Sequence, residues 1–145
     1  MFLLSQLWDN AITQTGSAKD VVWVVSFLDD LKAFPGSVRQ IMGFAIFQAQ
    51  RGGKHVDAKP LEGFKGSGVL EVAEDFDGDT YRTVYTVRFA GAVYVLHAFQ
   101  KKSKKGIATP RHDIDLIAAR LRMAEQIHEA RTLKKEGTRD GRQDT

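Results

Sequence analysis

The chain has 145 residues, 43% of them hydrophobic and 27% charged, the balance of one ordinary globular domain. No apolar run approaches the roughly 20 residues needed to span a bilayer, and the lack of cysteine excludes a disulfide framework, a thiolate nucleophile and cysteine-ligated zinc. The net charge is only +3, yet residues 100–145 carry 12 Lys and Arg against 7 Asp and Glu while residues 1–99 are slightly acidic, so one end of the chain suits a polyanion.

Residues 1–18 show little periodicity, and Gly16-Ser17 separates them from the patterned region as an N-terminal extension. The opening MFLLSQLWDN has no basic n-region and turns polar at Ser5, which argues against a signal peptide and makes a cytoplasmic protein the default. Residues 20–26, DVVWVVS, are β-branched or aromatic on both parities and predict a strand buried on both faces, central in a sheet. Ser26 with Asp29 then reads as a capping box opening a short helix that ends at Pro35. A second box, Ser37 with Gln40, opens a longer helix. Its apolar face is Val38, Ile41, Met42, Ala45 and Ala49, and it stops at Gly52-Gly53. The two helices form an antiparallel hairpin.

Residues 54–66 lack period and contain Pro60, so a loop is expected there. Three strands follow over 68–75, 80–89 and 92–99. They are joined across Asp77-Gly78 and Ala90-Gly91, with Asp-Gly a strong hairpin signal. A basic loop over 100–110 leads into a C-terminal helix from about Arg111, with an apolar stripe of Ile114, Ile117, Ala118, Leu121, Ala124 and Ile127. The polar, Gly-broken residues 132–145 are expected to fray as a tail. The fold class is therefore α+β: a small, mostly antiparallel sheet of an N-terminal strand plus a three-stranded meander. The helical hairpin and C-terminal helix pack on one face of it. The domain proper spans 19–131.

The runs WVVSFLDDLKAFP, KPLEGFKGSGVLEV, TYRTVYTVRF and YVLHAFQKKSKKGIATP resemble the RelE/ParE-type toxins of type II toxin–antitoxin modules, with the phage-derived, HigB-like branch the nearest in pattern. The similarity covers roughly Val21 to Arg122, and the strand ending His-Ala-Phe before Lys-Lys-Ser-Lys-Lys is its most specific part. One position departs: many members carry Glu-Leu-Arg in the first meander strand, where this chain has Glu71-Val72-Ala73. The resemblance implies a RelE-like fold and a metal-independent, ribosome-dependent mRNA endonuclease that arrests translation and growth. It implies no cofactor. The implied partners are mRNA on the ribosome and a cognate antitoxin, expected to be a helix-turn-helix protein. Two alternatives remain from other classes: a non-enzymatic ParE-like inhibitor of DNA gyrase, and an adaptor with no toxicity of its own.

Metal-free RNA cleavage needs an acceptor for the ribose 2′-OH proton, cations for the charge growing on the phosphate, and a donor for the 5′-oxygen. Arg82, set beside Tyr81 in a strand, is the expected phosphate clamp. Its parity suggests a solvent-facing side chain, whose loss would cost the fold under about 0.5 kcal/mol. Lys101, Lys102, Lys104 and Lys105 crowd the loop after the last strand, with Lys101 and Lys102 nearest the sheet and assigned to catalysis, and Lys104 and Lys105 to RNA binding. His97 is a candidate acid–base residue, but it shares parity with Val93, Val95 and Phe99 and so equally fits a hydrogen-bonded core imidazole. Lys59 in the preceding loop can reach a phosphate, and Tyr81, with Tyr94 as alternative, can stack on a base. The histidines lack metal-ligand spacing, and Asp75–Asp79 reads as a hairpin turn rather than a calcium loop.

Overall fold

The computed structural model describes residues 19–25, 27–64, 66–101 and 109–143. Within them the order is β1 (Asp20–Trp23), α1 (Phe27–Lys32), α2 (Gly36–Gln50), β2 (Ala58–Pro60), β3 (Val69–Phe76), β4 (Asp79–Thr86), β5 (Ala92–Lys101) and α3 (Arg111–Gln143). The strands form one mixed sheet ordered β1-β5-β4-β3-β2, with β1 parallel to β5 and every other pairing antiparallel. The expected extension 1–18, the loop lysines Lys102, Lys104 and Lys105, Ser26 and the side chain of Asp29 lie outside the described residues.

The meander follows from its turns. Asp77 and Gly78 both take positive φ (51° and 88°), as a two-residue turn needs to match the twist of β3 and β4. β1 is an edge strand rather than a central one. Its residues alternate between the two faces because both are covered there, which is why its apolar pattern shows no single period. The loop expected over 54–66 contains β2, a three-residue edge strand, and the edge is where Pro60 is tolerated in a sheet.

The helices pack on both faces of the sheet, not on one. On the hairpin side, Leu31 and Phe34 at α1 and Val38, Met42, Ala45, Ile46 and Ala49 of α2 meet Val72, Tyr81, Tyr85, Val93 and Val95. On the other side, Ile114, Ile117, Leu121, Ala124 and Ile127 of α3 cover Val69, Val84, Tyr94 and Leu96. A sheet whose strands are apolar on both parities requires two covers. The Ser37–Gln40 box is not used: Pro35 is the N-cap of α2, with no side-chain cap, and its carbonyl accepts from the N–H of Arg39. Helix α3 runs on to Gln143, past the expected end near Thr132 and through Gly137 and Gly141, since propagating an established helix costs far less than nucleating one. No helix among the described residues is long and apolar enough to cross a membrane.

Candidate functional site

Strand register collects the polar side chains on the α3 face. Arg82 pairs with Ala73 on β3 and Phe99 on β5, Glu71 pairs with Lys59 on β2 and Val84 on β4, and Thr80 pairs with Lys101. A cleft of about 360 Å³ opens over this region, lined among others by Lys59, Glu71, Ala73, Arg82 and Thr109. Thr109 comes from the segment leading into α3, so the cleft lies where the sheet ends and the last helix begins.

Arg82 is not solvated. It is 3% exposed, and its Nη1 donates to the Thr109 hydroxyl at 2.9 Å and to the Glu71 carboxylate at 3.3 Å. The Thr109 hydroxyl in turn donates to the same Glu71 oxygen at 2.6 Å. Parity correctly assigns Arg82 to the face opposite Tyr81, but that face is roofed by the approach to α3. The Glu71 carboxylate balances the buried charge there.

Lys59, expected in a loop, is exposed on the edge strand β2 and lines the cleft. Lys101 ends β5, half-buried, one row beyond Arg82 on the same face. Tyr81 departs from its expected role. It is buried on the hairpin face, edge-to-face with Phe34 at 5.0 Å between centroids, so its ring packs the core and does not face the cleft. Tyr94 is likewise buried, its hydroxyl 3.0 Å from Nδ1 of His128.

His97 sits beside the cleft rather than in its lining. A bulge shifts the β4–β5 register, so that Val84 pairs with His97 while Tyr85 pairs with Val95 and Leu96 is the extra residue. Parity therefore breaks: His97 leaves the face of Val93 and Val95 and joins Phe99, against which it stacks at 4.6 Å, toward α3. Its Nδ1 lies 2.9 Å from an Arg120 guanidinium nitrogen and its Nε2 lies 2.8 Å from Asp113. Because arginine only donates, Nδ1 accepts, and the ring is the neutral Nε2–H tautomer donating to Asp113. Burial, reinforced by the Arg120 charge, holds the imidazole below its ordinary value of 6.5 despite Asp113. Two of the three groups of this network, Asp113 and Arg120, belong to α3, so His97 fastens the helix to β5.

Glu71, Thr109, Asp113 and Arg120 are the site residues that sequence reasoning did not select. Glu71 was visible as the first residue of the Glu-Val-Ala departure. The others lie 16 to 38 residues from their partners and carry no local pattern.

The arrangement is that of a small α+β protein with a polar cleft of mixed charge, Lys59 and Arg82 beside Asp57, Glu62 and Glu71, on one face of a mixed sheet at the start of its last helix. The family model described as Phage derived protein Gp49-like (DUF891) matches residues 29–122, more than half of the chain. The protein belongs to that family, a RelE-like toxin family. No curated protein and no solved structure gave a match.

Proposed function

We propose that the protein is the toxin of a type II toxin–antitoxin module, of the HigB-like kind, and cleaves mRNA on the ribosome without a metal. The observation that carries this reading is the cleft itself, in which Arg82, Lys59 and Glu71 converge beside Lys101. In this reaction the ribose 2′-oxygen attacks the adjacent phosphorus as its proton passes to a base. The bond to the 5′-oxygen breaks as that oxygen takes a proton from the Lys101 ammonium, leaving a 2′,3′-cyclic phosphate and a 5′-hydroxyl. Glu71 is the proton acceptor, since a carboxylate beside the guanidinium that binds the phosphate is within reach of the neighbouring 2′-OH. Arg82 and Lys101 stabilise the growing charge on the phosphoryl oxygens, and Lys59 holds the backbone. His97, with both ring nitrogens engaged, supports the site by seating α3. The ribosome aligns the message, so a modest cleft suffices. The antitoxin we propose is a helix-turn-helix protein encoded beside the toxin.

The test is primer extension on mRNA after brief induction without antitoxin, beside plasmid supercoiling. Cleaved message with supercoiling intact supports the nuclease. Intact message with relaxed plasmid would instead assign the protein to gyrase inhibition.

A further inference from the structure

Arg82 and Glu71 are not direct cross-strand neighbours: Arg82 faces Ala73 and Glu71 faces Val84, so the two meet diagonally across β3 and β4. Their own contact, 3.3 Å, is the longest of the three that join Arg82, Glu71 and Thr109. The shorter two, 2.9 and 2.6 Å, both run through the Thr109 hydroxyl. That hydroxyl has a single proton, and a carboxylate only accepts, so the proton is given to Glu71 and the lone pairs receive Arg82. The direction of the relay is thereby fixed.

The mount of this hydroxyl is rigid. Threonine is stiff at χ1, and the following Pro110 confines its backbone to the extended region. The Pro110 carbonyl accepts from the N–H of Ile114 at the first turn of α3, and three residues beyond Pro110 the Asp113 carboxylate is bonded to His97.

We propose that Thr109 is the positioning residue of the cleft, holding the Arg82 guanidinium and the Glu71 carboxylate in one relative geometry through its hydroxyl. This rests on the reading of the cleft as a phosphate-cleaving site. Thr109 touches neither the phosphate nor the 2′-OH. It acts through the two groups that do, so its loss lowers turnover and leaves substrate binding in place.

Thr109→Val keeps the shape and removes the hydroxyl, Thr109→Ala removes it without bulk against Glu71, and Thr109→Ser restores it. Cleavage of ribosome-bound mRNA by Thr109→Val is expected to show kcat lowered about tenfold or more, with KM within about twofold. Thr109→Ser should regain most of the loss. In the free protein, the guanidinium nitrogen resonances of Arg82 are expected to be resolved separately for the wild type and Thr109→Ser, and averaged by rotation in Thr109→Val and Thr109→Ala. A folded valine or alanine variant with wild-type kcat and an Arg82 signal still held would overturn the proposal. So would a serine variant that rescues neither. A wild type that cleaves no mRNA would remove the functional reading alone, since the Arg82 signal reports on positioning without substrate.

Discussion

Ala73 and Arg82 stand opposite each other across β3 and β4, the alanine exposed at the cleft and the arginine buried within it. The alanine occupies the position where related toxins are expected to carry an arginine. A second guanidinium there would project beside the first without disturbing the core.

Ala73→Arg is therefore expected to tighten binding to single-stranded RNA and make it more salt-sensitive. The slope of log affinity against log salt should steepen by about 0.7 for one added phosphate contact. Binding measured at several salt concentrations checks this. An unchanged slope would place the phosphate path away from Ala73.

Arg82→Leu is expected to destabilise the fold by about 2–3 kcal/mol, because Glu71, itself largely buried, loses its counter-charge. This replaces the smaller cost that a solvent-facing arginine would have had. Pairing Arg82→Leu with Glu71→Leu should recover much of the loss, since it removes both charges. Urea unfolding of the two variants measures the difference. Cleavage should fall roughly 100-fold or more in either, as expected for loss of a transition-state donor.

Two groups titrate with opposite effect on stability. Burial keeps His97 below its ordinary 6.5, so the unfolded chain takes up the proton first, and stability present above about pH 6.5 is lost as the pH falls toward the folded value. Glu74 is raised from 4.5 to about 7, first by burial and then by the hydrogen bond to Asp57 and the charges of Asp57 and Asp75. It contributes stability that is complete below pH 4.5 and lost as the pH rises through 7. In the wild type the two offset each other from pH 6.5 down to the folded value of His97. Glu74→Gln should unmask a fall in Tm on acidification, and adding His97→Gln should abolish it. Thermal melts across pH 5–7.5 decide this, and a flat Glu74→Gln profile would refute it.

The sequence carried the local features well. The meander, its Asp77-Gly78 turn, the two helices on either side of Pro35 and the start of α3 at Arg111 are set by residues adjacent in the chain, through turn conformation and helical spacing. It carried poorly whatever depends on a distant partner. The bulge at Leu96 is a matter of β4–β5 register, and with it goes the face on which His97 lies. Arg82 reads as solvated until Thr109, 27 residues on, is seen to roof it. β2 is too short for any period to show, and it exists because β3 offers it an edge. Family resemblance selected Arg82 and Lys59 in the cleft and Lys101 beside it. It also selected Tyr81, which alternation along β4 sends to the opposite face.

That division between the two faces can be tested by substitution. Tyr81→Phe keeps the edge-to-face contact with Phe34 and removes only the hydroxyl, so cleavage and RNA binding should both remain at wild-type levels. Tyr81→Ala should cost about 3–5 kcal/mol through the cavity left against the hairpin, and lose activity only as it unfolds. Lys59→Gln should behave in the reverse way. Its side chain is exposed on an edge strand, so the melting temperature should hardly move, while the salt slope of RNA binding should fall by about 0.7. Lys101→Gln with Lys102→Gln should lower the slope further and suppress cleavage, with circular dichroism confirming the fold and ribosome pelleting at two salt concentrations reading the contact. If Tyr81→Phe lost RNA binding while the Lys59→Gln slope stayed unchanged, the message would run over the hairpin face, and the Arg82 cleft would have to be given up as the site of cleavage.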